Sequence, residues 1–312
     1  MATPVIHPDA KMMIDKAALS TEPPLETLSP AEARRTADLR VMNAPLAKLP
    51  VAEVRDLEIA GPAGPLKLRL YRPIAGGSAP LCMFFHGGGF MLGNLDTHDA
   101  LCRALAVRSG AALIAVEFRL APEHRFPSAL EDCVAATRWA IANAATLGLS
   151  ATRFALAGES SGGNLAAGVA LLLREDGSIP ALQLLLYPLV DMQLEGPSYQ
   201  QFAEGFLLTA RRMGHYIGNY LRSPADIADP LASPLRDPQP ALSPPTFLLT
   251  AGLDLTFGQA QAYGERLRAA GVAVESAHFE GWPHGFLFWG HAEGSTRAIN
   301  AAGDALRRAL TS

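Results

Sequence analysis

The chain has 312 residues, of which 49% are hydrophobic and 18% are charged, and its formal net charge is −4. This length suits one large domain or two small ones, and the composition can fill a sizeable core. The mild charge and the absence of a basic stripe argue against a nucleic-acid partner. The sequence shows neither a signal peptide nor about 18 consecutive apolar residues, so we expect a soluble cytoplasmic protein with no membrane span.

Three scattered cysteines are too few for a disulfide framework or a zinc site, and we expect small core residues there. They are Cys82, Cys102 and Cys133. No metal is therefore expected.

The first fifty residues predict two helices, the first over residues 9–20. The second begins at Ser29-Pro30, since serine suits the N-cap and proline the first helical position. Partial alternation of polar and apolar residues at 54–59 and clean alternation at 66–71 then predict an antiparallel hairpin.

From residue 81 onward, apolar strands alternate with helices. This order predicts an α/β fold with a mostly parallel sheet covered on both faces. In such sheets the functional site lies beyond the carboxyl ends of the strands. The predicted strands are 81–85, 111–118, 154–157, 182–187, 246–251 and 272–279, and the predicted helices are 97–108, 128–145, 165–174, 259–270 and 295–310.

The alternation lapses between residues 189 and 245, where apolar spacing predicts one or two helices. An insertion that follows the carboxyl end of a strand would lie over the site as a lid, and we expect it to pack with the N-terminal helices. We therefore predict N-terminal cap helices at 1–50, a catalytic domain at 51–188 and 226–312, and a cap insertion at 189–225.

The stretch Gly158-Glu159-Ser160-Ser161-Gly162 lies between a predicted strand and a predicted helix. In that context the pattern Gly-x-Ser-x-Gly is typical of a nucleophile elbow, whose strained turn exposes the serine hydroxyl above the sheet. The N-terminus of the following helix also favours negative charge at this point. The pattern occurs by chance as well, so it does not establish a catalytic serine alone.

A serine nucleophile needs a base, and the base needs an acid that orients it. In nucleophile-elbow proteins these groups follow the serine in the order acid, then histidine. Asp254 and His284 each come after a predicted strand, on the same side of the sheet as Ser160. We therefore predict His284 as the base and Asp254 as its partner, with Glu280 and Asp191 as the fallback acids.

Three consecutive glycines, Gly87, Gly88 and Gly89, follow the predicted strand at 81–85. Without Cβ atoms, their backbone N–H groups can face one point and stabilise an oxyanion. We expect Gly88 and Gly89 to donate, with Gly87 as the alternate, together with the N–H of Ser161. A flexible loop and a phosphate cradle are the alternatives, although the spacing fits neither common phosphate-binding motif.

Six motifs occur along the chain in a fixed order: HGGGF at 86–90, FRLAPEH at 118–124, GESSGGN at 158–164, DPLASPL at 229–235, Asp254, and HGF at 284–286. From about residue 66 onward, this set resembles the hormone-sensitive lipase family of carboxylesterases, bacterial family IV. The resemblance implies an α/β-hydrolase fold with a helical cap and a Ser160–Asp254–His284 triad. It also implies hydrolysis of short- to medium-chain esters, for which no organic cofactor is required.

Several positions depart from the pattern of that family. Glu159 and Ser161 replace the usual Asp and Ala, Phe118 replaces a Tyr, and the usual second acid and arginine are missing after Asp254. We expect Glu159 to act as a structural anchor and the Ser161 hydroxyl to add polarity beside the oxyanion hole. The packing around Asp254 is left open.

The leading interpretation is a serine carboxylesterase that forms an acyl-Ser160 intermediate. The same site would also serve an amidase, a carbamate hydrolase or an acyltransferase. A non-catalytic small-ligand receptor on this scaffold, like the plant gibberellin receptors, is the alternative of another class. The presence of His284 at the expected place favours an enzyme.

The substrate pocket is expected to be apolar and to accept acyl groups of roughly four to eight carbons. Its predicted residues are Phe90, Met91, Leu92, Phe202, Phe206 and Leu207. The last predicted strand, Val272–Phe279, is a candidate edge for pairing in a homodimer.

Overall fold

The computed structural model describes residues 4–42, 46–74, 76–290 and 292–311, so parts of the predicted cap at 1–50 lie outside the described residues. Within these ranges one sheet has eight strands: β1 (Glu53–Gly61), β2 (Gly64–Arg72), β3 (Ala79–Phe85), β4 (Ala112–Val116), β5 (Leu149–Glu159), β6 (Leu182–Leu186), β7 (Thr246–Leu253) and β8 (Val274–Pro283). The α-helices are α1 (Pro8–Ala18), α2 (Pro30–Met42), α3 (Asp99–Ser109), α4 (Ser128–Asn143), α5 (Ser161–Leu173), α6 (Pro197–Gln201), α7 (Ala210–Tyr220), α8 (Phe257–Ala269) and α9 (Glu293–Thr311). In the described chain, no helix combines the length and apolar character that a membrane crossing requires.

The strands lie in the order β1-β2-β4-β3-β5-β6-β7-β8. β1 and β2 form the predicted antiparallel hairpin, β2 also runs antiparallel to β4, and the remaining neighbours are parallel. The prediction of a mostly parallel sheet is therefore confirmed. Because β5, β7 and β8 are parallel, their carboxyl ends meet at one edge of the sheet.

Strand β8 is longer than predicted, because residues 280–283 continue the pairing with β7. The register shifts between Ala251 and Leu253, after which Leu253 pairs with Pro283. Gly281 has a φ of +78°, a conformation that glycine adopts without strain and that suggested a loop from the sequence. The shift places the next residue of each strand, Asp254 and His284, side by side.

Two hydrophobic cores cover the two faces of the sheet. Along β3, Leu81 and Met83 belong to one core while Cys82 and Phe84 belong to the other, as the alternation of side chains across a strand requires. Helices α3 and α9 contribute to the core that contains Phe84, and α4, α5 and α8 contribute to the other. All three cysteines are buried and free, as expected.

The N-terminal segment and the chain between β6 and β7 meet above the carboxyl edge of the sheet. Arg212 of α7 pairs with the buried Glu26, at 3.1 Å between Nε and Oε2. Arg34 of α2 donates from Nε to the carbonyl oxygen of Met91 at 2.9 Å. In contrast, α1 packs against β8.

Candidate active site

Ser160 occupies the sharp turn between β5 and α5. Its φ of +55° and ψ of −118° place a non-glycine residue in strained backbone, as expected for a nucleophile elbow. The turn leaves no room for side chains on either side, since a Cβ at Gly158 would lie 2.0 Å from the carbonyl oxygen of Gly162. The close approach of the backbone at Gly158 and Gly162 therefore maintains the strained conformation of Ser160.

The structure brings the three predicted triad residues into one chain of hydrogen bonds. His284 Nε2 lies 2.8 Å from Ser160 Oγ, and His284 Nδ1 lies 2.6 Å from Asp254 Oδ2. A carboxylate can only accept, so His284 carries a proton on Nδ1 and its Nε2 is left to accept the serine proton. All three side chains are largely buried.

Thr256 takes part in this arrangement and was missed from the sequence. Its backbone N–H donates to Asp254 Oδ1 at 2.9 Å, and its hydroxyl donates to Oδ2 at 2.8 Å. These two hydrogen bonds fix the orientation of the Asp254 carboxylate. They do so in a segment that lacks the second acid and the arginine usual in the family. The spacing of two residues between an aspartate and a threonine is a signal for such a local turn.

The environment of His284 changes its pKa in opposing directions. Burial alone lowers the pKa, but the Asp254 carboxylate, through its charge and its hydrogen bond, and the charge of Glu159 raise it. The net result is a pKa above the ordinary value of 6.5. The site therefore favours the imidazolium that forms when His284 takes the proton of Ser160.

The three candidate oxyanion donors of the glycine loop differ in whether their N–H groups already have a hydrogen-bond acceptor. Gly87 N–H already donates to His98 Nε2 at 3.3 Å. Within the described part of the chain, the N–H groups of Gly88 and Gly89 have no acceptor. The N–H of Ser161, at the first position of α5, is an N-terminal helix donor without an intrahelical acceptor.

The loop is supported from below by two buried aromatic rings. His86 donates from Nδ1 to the carbonyl oxygen of Gly87 at 2.8 Å, and its ring lies parallel to Phe118 at 4.1 Å between centroids. Burial, followed by the charge of His98, lowers the pKa of His86 to about 3. His86 is therefore a neutral support, and Phe118 replaces the usual hydroxyl contact by stacking.

Glu159 is buried beside the triad. Its Oε2 lies 3.5 Å from His98 Nε2, and only 4% of the residue is exposed. The carboxyl group therefore sits under the glycine loop, in a place that suits the predicted anchoring role.

A cavity of about 260 Å³ opens onto Ser160 and His284. Of the six predicted pocket residues, only Leu92 and Leu207 belong to its described wall. The other four do not line this cavity, because their side chains face other packing partners. Phe90 stacks on Tyr220, Met91 is buried in a core, and Phe202 and Phe206 contact each other edge to face.

The remaining wall combines apolar residues of the inserted segment with one face of α2. Apolar side chains contributed after β6 are Leu189, Leu207, Leu208, Met213 and Tyr216. Helix α2 adds Ala37, Asp38 and Val41, which no signal in the sequence marked as site residues. Helix α2 of the N-terminal segment thus forms part of the cavity wall.

Known proteins that are similar in sequence to this chain include ester hydrolases. A family model described as the alpha/beta hydrolase fold matches residues 82–288. The carboxylic ester hydrolase LipN of Mycobacterium tuberculosis is 42% identical over 83% of this chain and 71% of its own length. The ethyl acetate hydrolase of Pseudomonas putida is 40% identical over 72% of each chain.

Solved structures that are similar to this chain over nearly its whole length also include ester hydrolases. A thermostable esterase from Pseudomonas putida ECU1011 matches with a TM-score of 0.95 and 33% identity, covering 100% of both chains. An ester hydrolase from the metagenome of Lake Arreo, complexed with a bipyridine phosphonate derivative, matches with a TM-score of 0.94 and 35% identity over 99% of this chain and 100% of its own. The similarity therefore includes the helices around the cavity as well as the sheet.

Proposed function

Because the chain belongs to the α/β-hydrolase fold family and is a serine carboxylesterase, we propose that Ser160 is its nucleophile, His284 its base and Asp254 the orienting acid. The observation that carries this assignment is the continuous pair of hydrogen bonds, 2.8 Å from Ser160 to His284 and 2.6 Å from His284 to Asp254. The strained elbow presents the hydroxyl to the base, and the raised pKa of His284 supports proton uptake.

In the acylation step, His284 Nε2 removes the proton from Ser160 Oγ while that oxygen attacks the ester carbonyl carbon. The negative charge that develops on the carbonyl oxygen is stabilised by hydrogen bonds that the N–H groups of Gly88, Gly89 and Ser161 donate to it. The carbon–oxygen bond to the alcohol then breaks, and His284 returns the proton to the departing alcohol. Ser160 is left as an acyl ester.

Deacylation repeats these roles with water. His284 removes a proton from a water molecule as it attacks the acyl carbon, and the same N–H groups hold the second oxyanion. Collapse of this intermediate releases the acid and returns the proton to Ser160. Asp254, fixed by Thr256, keeps the proton of His284 on Nδ1 throughout.

We further propose that residues 1–50 and 189–225 form a cap on a catalytic domain of 51–188 and 226–312. The contacts of α2 and α7 with the cavity wall support this division. A cavity of about 260 Å³ lies just below the usual volume of ligand pockets, which is roughly 300–1,000 Å³. This small volume favours substrates with short- to medium-chain acyl groups, of about four to eight carbons.

The names of the relatives favour esters over amides, carbamates and acyl transfer, and over a receptor without activity. A homodimer through β8 is also proposed, since β8 is the last strand at one edge of the sheet.

Hydrolysis of p-nitrophenyl esters tests the proposed substrate class. We expect rapid turnover of the butyrate ester and slow turnover of the palmitate ester, because the cavity is too small to bury the longer chain. A reactive phosphonate ester should also add one phosphonyl group to the peptide that contains Ser160, as read by mass spectrometry. Equal rates on both esters would contradict the chain-length proposal, and labelling of a different residue would contradict the nucleophile.

The pH dependence of kcat/KM tests the influence of Glu159 on the base. Neutral His284 is the active form, so activity should rise with pH through an apparent pKa above 6.5 in the free enzyme. Replacing Glu159 by glutamine removes a negative charge that raises the pKa of His284, so the rising limb should move to lower pH.

The matched control is Glu280→Gln, the same chemical change at an exposed position on β8. Because the charge of Glu280 acts on His278, this variant should leave the rising limb of the kcat/KM pH profile in place. A limb that stays fixed in Glu159→Gln, or that moves equally in both variants, would contradict the assignment.

A further inference from the structure

The oxyanion loop contains one residue whose conformation needs an external support. Gly88, Gly89 and Phe90 have φ angles of +115°, +62° and +63°, so three successive residues are left-handed. Glycine adopts this conformation freely, whereas a bulky residue such as phenylalanine is strained in it. The contacts of Phe90 therefore help to keep the preceding N–H groups in one direction.

The backbone of Phe90 is held on the core side by the residue that follows the nucleophile. Its N–H donates to Ser161 Oγ at 3.3 Å, and Ser161 is completely buried. The alanine that is usual at this position has no atom to accept this bond. An unpaired, buried N–H is destabilising, so the hydroxyl favours the observed loop conformation.

The ring of Phe90 is held on the opposite side by helix α7. It stacks on Tyr220 with centroids 3.7 Å apart and an angle of 5° between the planes. One turn earlier on the same helix, Tyr216 covers Gly89, where an added Cβ would lie 2.2 Å from the tyrosine ring. Helix α7 therefore packs directly on the segment that carries the expected oxyanion donors.

Building on the proposed oxyanion hole, we propose that the Ser161 hydroxyl and the Tyr220 ring are positioning groups that act through Phe90. Together they fix the left-handed segment so that the N–H groups of Gly88 and Gly89 converge with that of Ser161. Ser161 thus has two separate roles, one for its backbone N–H and one for its side chain. The hydrogen bond from Phe90 N–H to Ser161 Oγ and the stack of the Phe90 ring on Tyr220 both hold Phe90, although Ser161 and Tyr220 belong to different parts of the fold.

Ser161→Ala isolates the hydroxyl, because it retains the backbone N–H. Losing one oxyanion donor outright costs about 10²–10³ in kcat, so a donor that is displaced but retained should cost about 5- to 50-fold. We expect this fall in kcat on p-nitrophenyl butyrate with KM within about twofold. Inhibition by a trifluoromethyl ketone, whose adduct places an oxyanion in the hole, should weaken by a similar factor.

Ser109→Ala is the matched control, since the Ser109 hydroxyl is also buried and also accepts a backbone N–H, that of Ala111 at 3.1 Å. It lies at the end of α3, so it should change thermal stability without changing kcat or the inhibition constant. If Ser161→Ala behaves in the same way, the hydroxyl has only a structural role and the proposal is overturned.

Substitution of Tyr220 provides a second test of the proposal. Tyr220→Leu removes the stack and should also lower kcat at nearly constant KM, whereas Tyr220→Phe keeps the ring and should restore the rate. Because both contacts act through Phe90, the double variant Ser161→Ala/Tyr220→Leu should lose less than the product of the single losses. Fully multiplicative losses would reject the shared anchor.

The outcome is distinguishable from a failure of the proposed function. An inactive Ser160→Ala together with an unimpaired Ser161→Ala would reject only the positioning role. Activity retained by both variants would instead reject Ser160 as the nucleophile.

Discussion

Ser160→Ala should lower kcat on p-nitrophenyl butyrate by about 10⁴–10⁶-fold, the largest effect expected of any single change in this chain. The alanine removes the only atom that forms the acyl ester, while the other groups of the site remain. KM should change far less, because the cavity wall and the backbone donors are intact. Steady-state kinetics at a high concentration of the variant enzyme, with substrate still in excess, measure the residual rate.

Two controls make this result specific. The variant should keep the circular dichroism spectrum of the wild type, and it should no longer be labelled by a phosphonate ester at residue 160. Ser109→Ala, a buried serine outside the cavity, should retain full activity. A residual rate within tenfold of the wild type would show that another group carries the reaction.

Asp254→Asn should lower kcat by about 10⁴-fold, mainly through the tautomer of His284. The aspartate accepts the Nδ1 proton at 2.6 Å, which leaves Nε2 free to accept from Ser160. The bonds from Thr256 occupy the carboxylate oxygens, so an asparagine would turn one N–H toward His284. The imidazole proton would then move to Nε2, where it blocks proton transfer from the serine.

Asp191→Asn is the control for this variant. Asp191 is also largely buried and is one of the two fallback acids expected from the sequence, but it accepts from Arg236 Nε at 3.1 Å instead of from a histidine. We expect nearly normal kcat on p-nitrophenyl butyrate, with at most reduced stability. A large kcat loss in Asp191→Asn and a small one in Asp254→Asn would reverse the assignment of the acid.

The elbow and the order of the triad could be predicted because their signals are local. Gly158 and Gly162 mark a turn within a few residues, and Asp254 and His284 each follow an apolar run that predicts a strand. A parallel sheet then brings the strand ends together without any knowledge of side-chain packing. The fold class depends on the same local alternation.

The pocket could not be predicted in this way, because its wall depends on how helices are oriented around the sheet. Phe90 directly follows the glycine loop and Phe202 lies in the predicted cap insertion, yet their rings pack elsewhere. Asp38 lines the cavity from a helix far away in sequence, and only the tertiary arrangement places it there. The extension of β8 to Pro283 likewise depends on pairing with β7 across a register shift, which no local pattern reports.

The pairing of Glu26 with Arg212 limits how this enzyme can be recombined with its relatives. A chimera that exchanges only the segment around α7 would risk leaving a buried carboxylate without its cation, since Glu26 is encoded far upstream. The hydrogen bond from Arg34 to the carbonyl oxygen of Met91 links the upstream segment to the glycine loop as well. Productive crossovers should therefore transfer both segments as a unit, and changes in substrate preference are best sought in libraries that vary them together.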